Sequence, residues 1–433
     1  MENRVLGVSG LDVKNRRLGA RSWKIEVRAT LLTSIFCLLT YTSYAQSIND
    51  YLKTAADNNP TLKASYTEFE ASLKRVSQVN ALPDPNLSFG YFISPIETRV
   101  GPQQAKFSLT QMFPWFGTLK AKEKVATWQA EVKYQEFLNN KNQLFYQVKQ
   151  AYYPLYEVHE IINLQKRDLE ILESFKQLAT ISFANGQGTM ANVLRVDIMM
   201  DDIKTDIQLL EDKLGPLTTA FNRLLNRPDT STIQIDDSLS MEALELDFFR
   251  DSITSKNPKI KALEKTLASL KAQETVAQKN GLPQIGVGLD YAFIGERTDI
   301  NIPDNGKNAF MPMVTMSIPI FRKKYKSAVE ESQMLQMAVK YEIEGVENQL
   351  ITQFEKGYYE AEKALQLDRL YETQRKKTEQ VLSLLYTAYS NSGRDFEEVL
   401  RMQQQLLKYQ MAQATVKVKY FIALAQLEYI TAR

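Results

Sequence analysis

The chain has 433 residues, of which 53 are Lys or Arg and 51 are Asp or Glu, so its formal net charge is +2. Such a nearly neutral chain has no strong positive field, and nucleic-acid binding is therefore not expected. One Cys and one His exclude a Cys/His zinc site, an iron–sulfur cluster and a disulfide framework. The mean hydropathy of -0.32 argues against a bundle of transmembrane helices, but it permits a membrane β-barrel, whose strands are only half apolar.

The first 45 residues have the pattern of a secretory signal peptide. Basic residues precede a short apolar stretch at positions 31–39, and a small-residue site follows it and ends at Ala45. We therefore predict cleavage between Ala45 and Gln46. Cys37 lies within this peptide after the bulky Phe36, which does not suit lipoprotein processing. The mature chain carries 46 basic and 48 acidic residues, a net charge of -2.

The remaining sequence contains matched segments about 200 residues apart. Asn59-Pro60 corresponds to Asn257-Pro258, and Tyr152-Tyr153 corresponds to Tyr358-Tyr359. A series of apolar residues with a period of 3.5 starts at Val193 and recurs 206 residues later, with one polar exception. A period of 3.5 over more than four heptads is typical of a coiled-coil seam. We predict an internal two-fold repeat, with repeat 1 at 46–235 and repeat 2 at 236–433.

Each repeat has the same predicted elements: a helix, a β-hairpin, a very long helix, a tight break and a second long helix. In repeat 1 the hairpin spans 86–113, with Pro95, Gly101 and Pro102 in its loop, and the helix tip spans 184–189. The helix between them has about 67 residues, or about 100 Å, which is too long for a globular domain. In repeat 2 the hairpin spans 284–320 and the tip spans 390–394.

The strands suggest a membrane position and an oligomer. In the second hairpin, apolar or aromatic residues alternate with small or polar residues over 284–293. Strands of roughly 8 to 10 residues suit a tilted membrane span, but a closed barrel needs at least about eight strands. Because one chain supplies four, several copies must share one barrel. The predicted fold is therefore mainly α, with long coiled-coil helices and a small membrane β part.

Several segments resemble TolC-type outer-membrane efflux channels. The strand-to-helix junction Phe113-Pro114-Trp115-Phe116-Gly117 is similar to that of the metal-efflux branch, the CusC and CzcC type. The turns at 183–188 and 389–393 and the segment 221–228 also fit the family. The resemblance implies a homotrimer whose twelve-stranded β-barrel lies in outer-membrane lipid and continues into a periplasmic α-helical barrel. It also implies two partners at the tips, a periplasmic adaptor protein and an inner-membrane pump.

The resemblance also assigns candidate residues. The adaptor-contact candidates are Asn185, Gly186, Gln187, Gly188, Asn391, Ser392 and Gly393. The family has acids after its second tip that constrict the pore. The gate candidates here are Glu398, Asp395 and Arg401 after the second tip, and Asp197 after the first tip. Glu398 fits an acidic ring, with Glu397 as a further source of charge, whereas Arg401 departs from the family pattern. The strand–helix junctions contain Pro114, Trp115, Gly117 and Pro319.

The expected function is a passive efflux duct, with heavy-metal cations as one candidate substrate class. The alternative is an exported coiled-coil structural or adhesive protein without a pore. Met311, Met313 and Met316 suggest a soft Cu(I) path, but contact of a strand with lipid or core explains them more simply. His159 is expected on the surface. No catalytic, cofactor or metal residue is predicted, because no catalytic motif is apparent.

Overall fold

The computed structural model describes residues 47–235, 239–241, 253–392 and 396–432. The chain divides into two units, 1–46 and 47–433, and the fold described below belongs to the second. The predicted cleavage site at Ala45 and Gln46 lies outside the described residues. Within the described residues, no helix is both long enough and apolar enough to cross a bilayer.

Long helices and four strands make up the described chain. In chain order the elements are α1 (Ile48–Asn58), α2 (Pro60–Val79), β1 (Asn86–Thr98), β2 (Gly101–Phe113), α3 (Thr118–Ala184), α4 (Met190–Leu224), α5 (Pro258–Asn280), β3 (Gln284–Ile294), β4 (Ala309–Ser317), α6 (Arg322–Ser392) and α7 (Phe396–Thr431). The series from α2 to α4 and the series from α5 to α7 therefore have the same order of helix, two strands, long helix and helix. At 67 and 71 residues, α3 and α6 are each about 100 Å long.

The first hairpin is tighter than the sequence predicts. Pro95 lies within β1, and Gly101 and Pro102 lie within β2, so the expectation that all three occupy the loop is wrong. The connection is instead a short turn at 99–100. Pro95 is tolerated because β1 is an edge strand with a register irregularity between Tyr91 and Ile96, where a missing N–H donor costs little.

The two hairpins join into one antiparallel sheet in the order β1-β2-β3-β4. Its centre is the pairing of β2 with β3, in which Phe107 is opposite Tyr291 and Phe113 is opposite Ile285. These residues come from hairpins that are more than 170 residues apart in the chain. Strands β1 and β4 are the two edges of the sheet.

One face of the sheet is apolar and exposed. Because side chains alternate along a strand, the register places one set of apolar residues on the same face. This apolar face contains Leu87, Phe89, Tyr91, Phe107, Leu109, Val287, Leu289, Tyr291, Phe293, Phe310, Val314 and Met316, which are 36% or more exposed. Their exposure shows that no layer of the described residues covers this face.

The opposite face carries glycine, polar and methionine residues. Gly286 leaves room for Met112 Sδ and Thr315 Oγ1, which would lie only 2.5 and 2.3 Å from a Cβ at that position. Next to them, Asp290 is buried and forms an ion pair with Lys106. The alternation predicted from the sequence is therefore present, with the polar residues packed against one another across strands.

The three methionines of β4 do not share a face. Met316 is opposite Ile285 and belongs to the apolar face, whereas Met311 and Met313 are opposite Asp290 and Gly288. A single lipid-facing side of β4 therefore does not account for all three methionines. The physical reason is that successive side chains of a strand point to opposite faces, so odd and even positions of β4 lie on different sides of the sheet.

The predicted coiled-coil seams are buried or half-buried along α4 and α7. The polar exception in α7, Gln413, donates Nε2 to Asp368 at 3.1 Å and to Glu372 at 3.3 Å, both on α6. Arg375 also donates to Glu372, and with Lys376 it lowers the pKa of that carboxyl to about 2. Gln413 therefore has polar partners inside the helical pair, which explains why a polar residue is tolerated there.

Two asparagines fasten the beginnings of α2 and α5. Asn59 accepts a hydrogen bond from the backbone N–H of Leu62 and donates Nδ2 to the carbonyl of Leu224 at 3.0 Å. Asn257 accepts from the N–H of Lys259 and donates Nδ2 to the carbonyl of Ile430 at 2.7 Å. Each side chain therefore caps one helix and satisfies a carbonyl at the end of α4 or α7.

Replacing Asn257 with Ala should lower the free energy of unfolding by about 1–3 kcal/mol, because a cap and a buried hydrogen bond are lost together. Asn257→Asp keeps the cap acceptor but loses the donor to Ile430, so its stability should be intermediate. Denaturation in detergent followed by circular dichroism measures both. The exposed Asn280→Ala on the same helix is the control and should change stability by less than about 0.5 kcal/mol. Equal stabilities of all three variants would contradict this assignment.

Candidate functional site

The residues predicted for partner contact and gating lie in two places, near the connection between α3 and α4 and near the connection between α6 and α7. At the first tip α3 ends at Ala184, and Asn185, Gly186, Gln187 and Gly188 form the turn before α4. The N–H of Gln187 donates to the carbonyl of Ser182 at 2.9 Å, and the N–H of Gly188 donates to the same carbonyl at 3.1 Å. These bonds satisfy the free carbonyl at the helix end and reverse the chain in a few residues.

The two glycines of this turn have different roles. Gly186 has a φ of 68°, a conformation that glycine adopts without strain. Gly188 lies close to the end of α3, and a Cβ there would be 3.2 Å from Ser182 Cβ and 3.3 Å from the backbone nitrogen of Phe183. The first tip therefore needs one glycine for its backbone angle and the other for close packing.

The second tip begins later than the sequence predicts. Helix α6 runs to Ser392, so Asn391 and Ser392 belong to its last turn and not to the loop. Helix α7 begins at Phe396. Gly393 and Asp395 lie outside the described residues.

An aromatic cluster joins the two helical pairs beside the tips. Phe396 of α7 lies 4.9 Å from Tyr389 of α6 and 6.3 Å from Phe175 of α3, measured between ring centroids. The hydroxyl of Tyr389 is 3.2 Å from the hydroxyl oxygen of Ser182. Leu172, Val196 and Val399 are buried in the same cluster. The tips are therefore packed against each other through a continuous apolar core.

Each acidic gate candidate within the described residues has a basic partner. Asp197 lies 2.5 Å from Lys176, and this contact raises the pKa of the lysine. Glu398 forms an ion pair with Arg401, one turn later in α7, and the pKa of Arg401 is raised for the same reason. Glu397, the further acid, reaches Arg195 of α4 at 3.1 Å. Asp197, Glu397 and Glu398 are therefore each charge-compensated within one chain.

The outer surface of the first tip is apolar and exposed. Ile198 is 63% exposed and Ile181 is 59% exposed, and three further large apolar residues of α3 and α4 are close to half exposed. The exposed apolar residues at this tip are Ile181, Phe183, Met190, Leu194 and Ile198. A group of exposed apolar side chains at one place on a surface is typical of a site that contacts another molecule.

A buried carboxylate links α3 to α7 about four turns from the first tip. Asp168 is only 3% exposed, and its Oδ1 accepts a hydrogen bond from Gln403 Nε2, a residue that is equally buried. Burial raises the pKa of Asp168, while the hydrogen bond from Gln403 acts in the opposite direction. This contact crosses between the two helical pairs, and no sequence motif indicated it.

The predicted strand–helix junctions lie at the other end of α3. Gly117 has a φ of 78° and is the N-cap of α3, and Lys279 Nζ donates to the carbonyl of Phe116 at 3.1 Å. At the second junction Arg322 donates to the carbonyl of Gly281 at 2.9 Å. Pro114, Trp115 and Pro319 lie in these connections, whose exposed apolar side chains are Phe116, Ile318, Ile320 and Phe321.

No group of His, Cys, Asp and Glu side chains able to hold a metal ion is found among the described residues. His159 is exposed, as predicted from its isolation in the sequence.

The sequence patterns assigned no role to Tyr389, Phe396 or Arg195 and did not predict the Asp168–Gln403 contact. Tyr389 and Phe396 flank the predicted tip, so their position was a usable signal. The other contacts join residues that are more than 200 positions apart, and only the fold brings them together.

Comparison with known proteins gives a consistent result. Residues 250–433 match a family model described as outer membrane efflux protein. The VceC outer membrane protein of Vibrio cholerae is similar in structure, with 14% identity and a TM-score of 0.69, covering 89% of this chain and 95% of that chain. The CmeC outer membrane channel of Campylobacter jejuni has 11% identity and a TM-score of 0.69, covering 91% and 90%. No curated protein sequence matches the chain.

CusC is also similar, with 14% identity and a TM-score of 0.64, covering 90% of this chain and 95% of that chain. Its score is no higher than those of VceC and CmeC, so fold similarity does not favour one branch over another. At these identities the structural comparisons establish the fold.

We expect Asp168→Asn to raise the thermal midpoint of unfolding at pH 8 and to leave it nearly unchanged at pH 4. A raised pKa in the folded state favours the protonated carboxyl, so its contribution to stability is present at low pH and is lost as the pH rises through the folded-state pKa. Asparagine is neutral at both pH values and keeps the acceptor for Gln403.

The control for this prediction is Asp202→Asn, which removes an exposed carboxylate from α4. It should change the midpoint little at either pH. A lower midpoint of Asp168→Asn at pH 8 would show that the ionised carboxylate stabilises the fold, contrary to this account.

Proposed function

We propose that this chain is an outer-membrane efflux protein of the TolC type and that it assembles as a homotrimer into a passive duct through the outer membrane. In this role the sheets of three chains form a twelve-stranded β-barrel, and the long helices form a periplasmic tunnel. A periplasmic adaptor and an inner-membrane pump deliver substrate to the tips. The observation that carries the proposal is the four-stranded sheet with one exposed apolar face, on a chain with the fold of efflux channels.

The strand lengths support a membrane position for the sheet. The strands have 13, 13, 11 and 9 residues, while a tilted strand needs about 9–11 residues to cross the hydrocarbon region. The apolar face then contacts lipid, and the face with Lys106 and Asp290 lines the lumen. The exposed Phe116 and Phe321 at the junctions fit the aromatic girdle that membrane barrels have at their interfaces.

The edges of the sheet support closure by copies of the chain. Strands β1 and β4 run antiparallel to each other, because three antiparallel pairings separate them. The β4 edge of one copy can therefore pair with the β1 edge of the next copy, and every pairing in the closed ring stays antiparallel. Three copies supply twelve strands, an even number within the range of bacterial barrels.

The tips support contact with an adaptor. The exposed apolar residues around Ile181 and Ile198 lie at the far end of α3 and α4 from the sheet, about 100 Å along the helix. If the sheet lies in the outer membrane, the tips are the part of the chain nearest the inner membrane. Asn185, Gly186, Gln187 and Gly188 present the turn itself to the partner, with Asn391 and Ser392 at the end of α6.

The gate residues favour a weakly charged constriction. Arg401 compensates Glu398, and Lys176 compensates Asp197, so neither carboxylate contributes a full negative charge to a pore. A ring of three Glu398 and Arg401 pairs would select cations less strongly than a ring of three free carboxylates.

The alternative function, an exported coiled-coil protein without a pore, leaves the apolar face without a role. A rod needs only its helical seams, whereas exposed apolar surface of this size in water favours aggregation. The narrower proposal of metal-ion substrates rests on the resemblance of the Phe113–Gly117 junction to the metal-efflux branch.

The duct proposal predicts that the protein purifies from the outer-membrane fraction as a trimer that dissociates on heating, and that it gives single-channel conductance in planar bilayers. A protein that stays soluble without detergent and conducts no ions would be the pore-free alternative.

For the substrate, deletion of the gene should sensitise cells to copper, silver, cobalt or zinc. Sensitivity confined to dyes, detergents or antibiotics would refute metal efflux and leave the duct intact.

Arg401→Gln should shift the reversal potential in a KCl gradient toward the potassium equilibrium potential, because it frees the Glu398 carboxylate. Glu398→Gln should shift it in the opposite direction, and the double variant should return to a value near wild type. The control is Arg369→Gln, which removes the same charge from an exposed position on α6. If Arg401→Gln and Arg369→Gln behave alike, this pair does not line the narrowest part of the pore.

A further inference from the structure

A groove lies between α2 and α5 over the surface of α3. It consists of two adjoining cavities of about 440 and 360 Å³, and Arg75, Ala126, Gln129, Ser269 and Leu270 line both. We call it the α2–α5 groove. Each cavity falls within the range of about 300–1,000 Å³ that is typical of sites for small molecules. None of the functions considered above uses this groove.

The floor of the groove is apolar. Val125 and Ala126 of α3 are buried beneath it, and Val276 of α5 is buried beside them. Ser269 is also buried, and its hydroxyl points to the carbonyl of Val125 at 3.4 Å, so it leaves little polar surface there. The apolar side chains that line the two cavities are Val79, Val125, Ala126, Val132, Leu270 and Val276.

The charge of the groove is positive. Arg75 and Lys122 line the larger cavity, and no Asp or Glu lines either one. Neither Arg75 nor Lys122 forms an ion pair with another described residue, in contrast to Lys133 in the smaller cavity. Lys133 contacts Glu68 at 3.2 Å and Glu136 at 2.9 Å. The uncompensated positive charge therefore comes from Lys122 in the larger cavity and from Arg75, which lines both cavities, in a chain that is otherwise nearly neutral.

The charge and the apolar surface are arranged along the helix. Lys122 is the fifth residue of α3 and lies near the sheet, whereas Val132 is ten residues further along, about 15 Å away. Gln129 and Gln273 at the rim can donate further hydrogen bonds to an anion. The groove is thus more strongly cationic at its end next to the sheet, and less so at the other end, where Glu68 and Glu136 compensate Lys133 and Val132 adds apolar surface.

We infer that the α2–α5 groove binds an anionic amphiphile with a single acyl chain, of the fatty-acid type. Its carboxylate pairs with Arg75 and Lys122, and its chain lies over Val125 and Leu270 toward Val132. An arginine is suited to this role because its planar guanidinium can bind both oxygens of a carboxylate. The inference goes beyond the proposed duct, since it assigns a ligand to the wall of the helical part.

The direction of the groove favours a free amphiphile over a phospholipid of the bilayer. A bilayer phospholipid extends its chains toward the membrane, which in the proposed function contains the sheet. The less cationic end of the groove points away from the sheet, so chains in the bilayer would run opposite to it. The choice of a free amphiphile over a phospholipid rests on the proposed membrane position of the sheet. The charge and the volume of the groove do not depend on that position.

The test is binding of dodecanoate to the full-length protein in a neutral maltoside detergent, measured by isothermal titration calorimetry. Arg75→Gln combined with Lys122→Gln should weaken the affinity by about tenfold or more, because two charge-assisted contacts are lost. The matched control is Lys74→Gln combined with Lys124→Gln, which removes the same charge from exposed positions of the same helices that do not line the groove. The control should bind dodecanoate as the wild type does.

A second variant tests the cavity independently of charge. Gln129 is exposed and lines both cavities, so Gln129→Trp should fill the groove without disturbing the core, and it should also abolish binding. Equal affinity of all variants, or equal affinity of the wild type for dodecanoate and uncharged dodecanol, would overturn the inference. Competition by phosphatidylglycerol in nanodiscs, but not by phosphatidylcholine, would identify a bilayer lipid as the occupant and refute the single-chain ligand.

Single-channel conductance of the same variants keeps this test separate from the proposed function. Loss of dodecanoate binding with intact conductance in the groove variants is the expected outcome. A protein that conducts but binds no dodecanoate would disprove the groove inference and leave the duct standing. A protein that binds dodecanoate through Arg75 and Lys122 but forms no channel would disprove the duct and leave the groove inference standing.

Discussion

Backbone N–H and C=O groups that lie in hydrocarbon have no water to bond, so each of them must pair with another backbone group. The four-stranded sheet of this chain meets that constraint between its strands but not along β1 and β4. In the proposed trimer the edges pair with those of neighbouring copies, and closure leaves no edge. The even number of strands, the single apolar face and the continuation of the strands into helices all fit this requirement.

The helical part meets a different requirement, which is to hold long helices together in water. The seams of α4 and α7 bury apolar residues against α3 and α6, and a few polar contacts fix the ends. Asn59 and Asn257 tie the beginnings of two helices to the ends of two others. Lys149 and Glu428 form an ion pair across the two halves. The two halves of the chain therefore form one packed structure and not two independent domains.

The proposed contact site at the tips and the proposed ligand site in the α2–α5 groove occupy different parts of the helical structure. Both proposed sites lie on surfaces that are not needed for packing. They are the exposed apolar residues at the end of α3 and the unpaired Arg75 and Lys122, near the end of α2 and the beginning of α3. The acids at the tips are compensated by basic residues of the same helix or of a neighbouring helix, whereas Arg75 and Lys122 in the groove have no acidic partner among the described residues.

Sequence periodicity predicted most of the fold correctly. The alternation at 284–293 indicated β3 and its faces, and the 3.5-residue period indicated the buried seams, because both patterns follow from the fixed geometry of strands and helices. Errors occurred where local signals compete with tertiary context. Pro95 and Pro102 suggested a loop, but an edge strand and a register irregularity accommodate Pro95 within β1. A single lipid-facing side was also expected to explain Met311, Met313 and Met316 together. Met311 and Met313 lie at odd positions of β4 and Met316 at an even position, so they are on opposite faces of the sheet.

The sequence by itself determined the order of the elements, the great length of α3 and α6 and the apolar faces, since these depend on residues that are neighbours along one helix or strand. Only the tertiary structure decided which distant residues meet: β2 with β3, Asp168 with Gln403, Glu397 with Arg195, and Arg75 with Lys122 across the groove. These pairings depend on how helices and strands pack against one another. No periodic pattern within a single element carries that information.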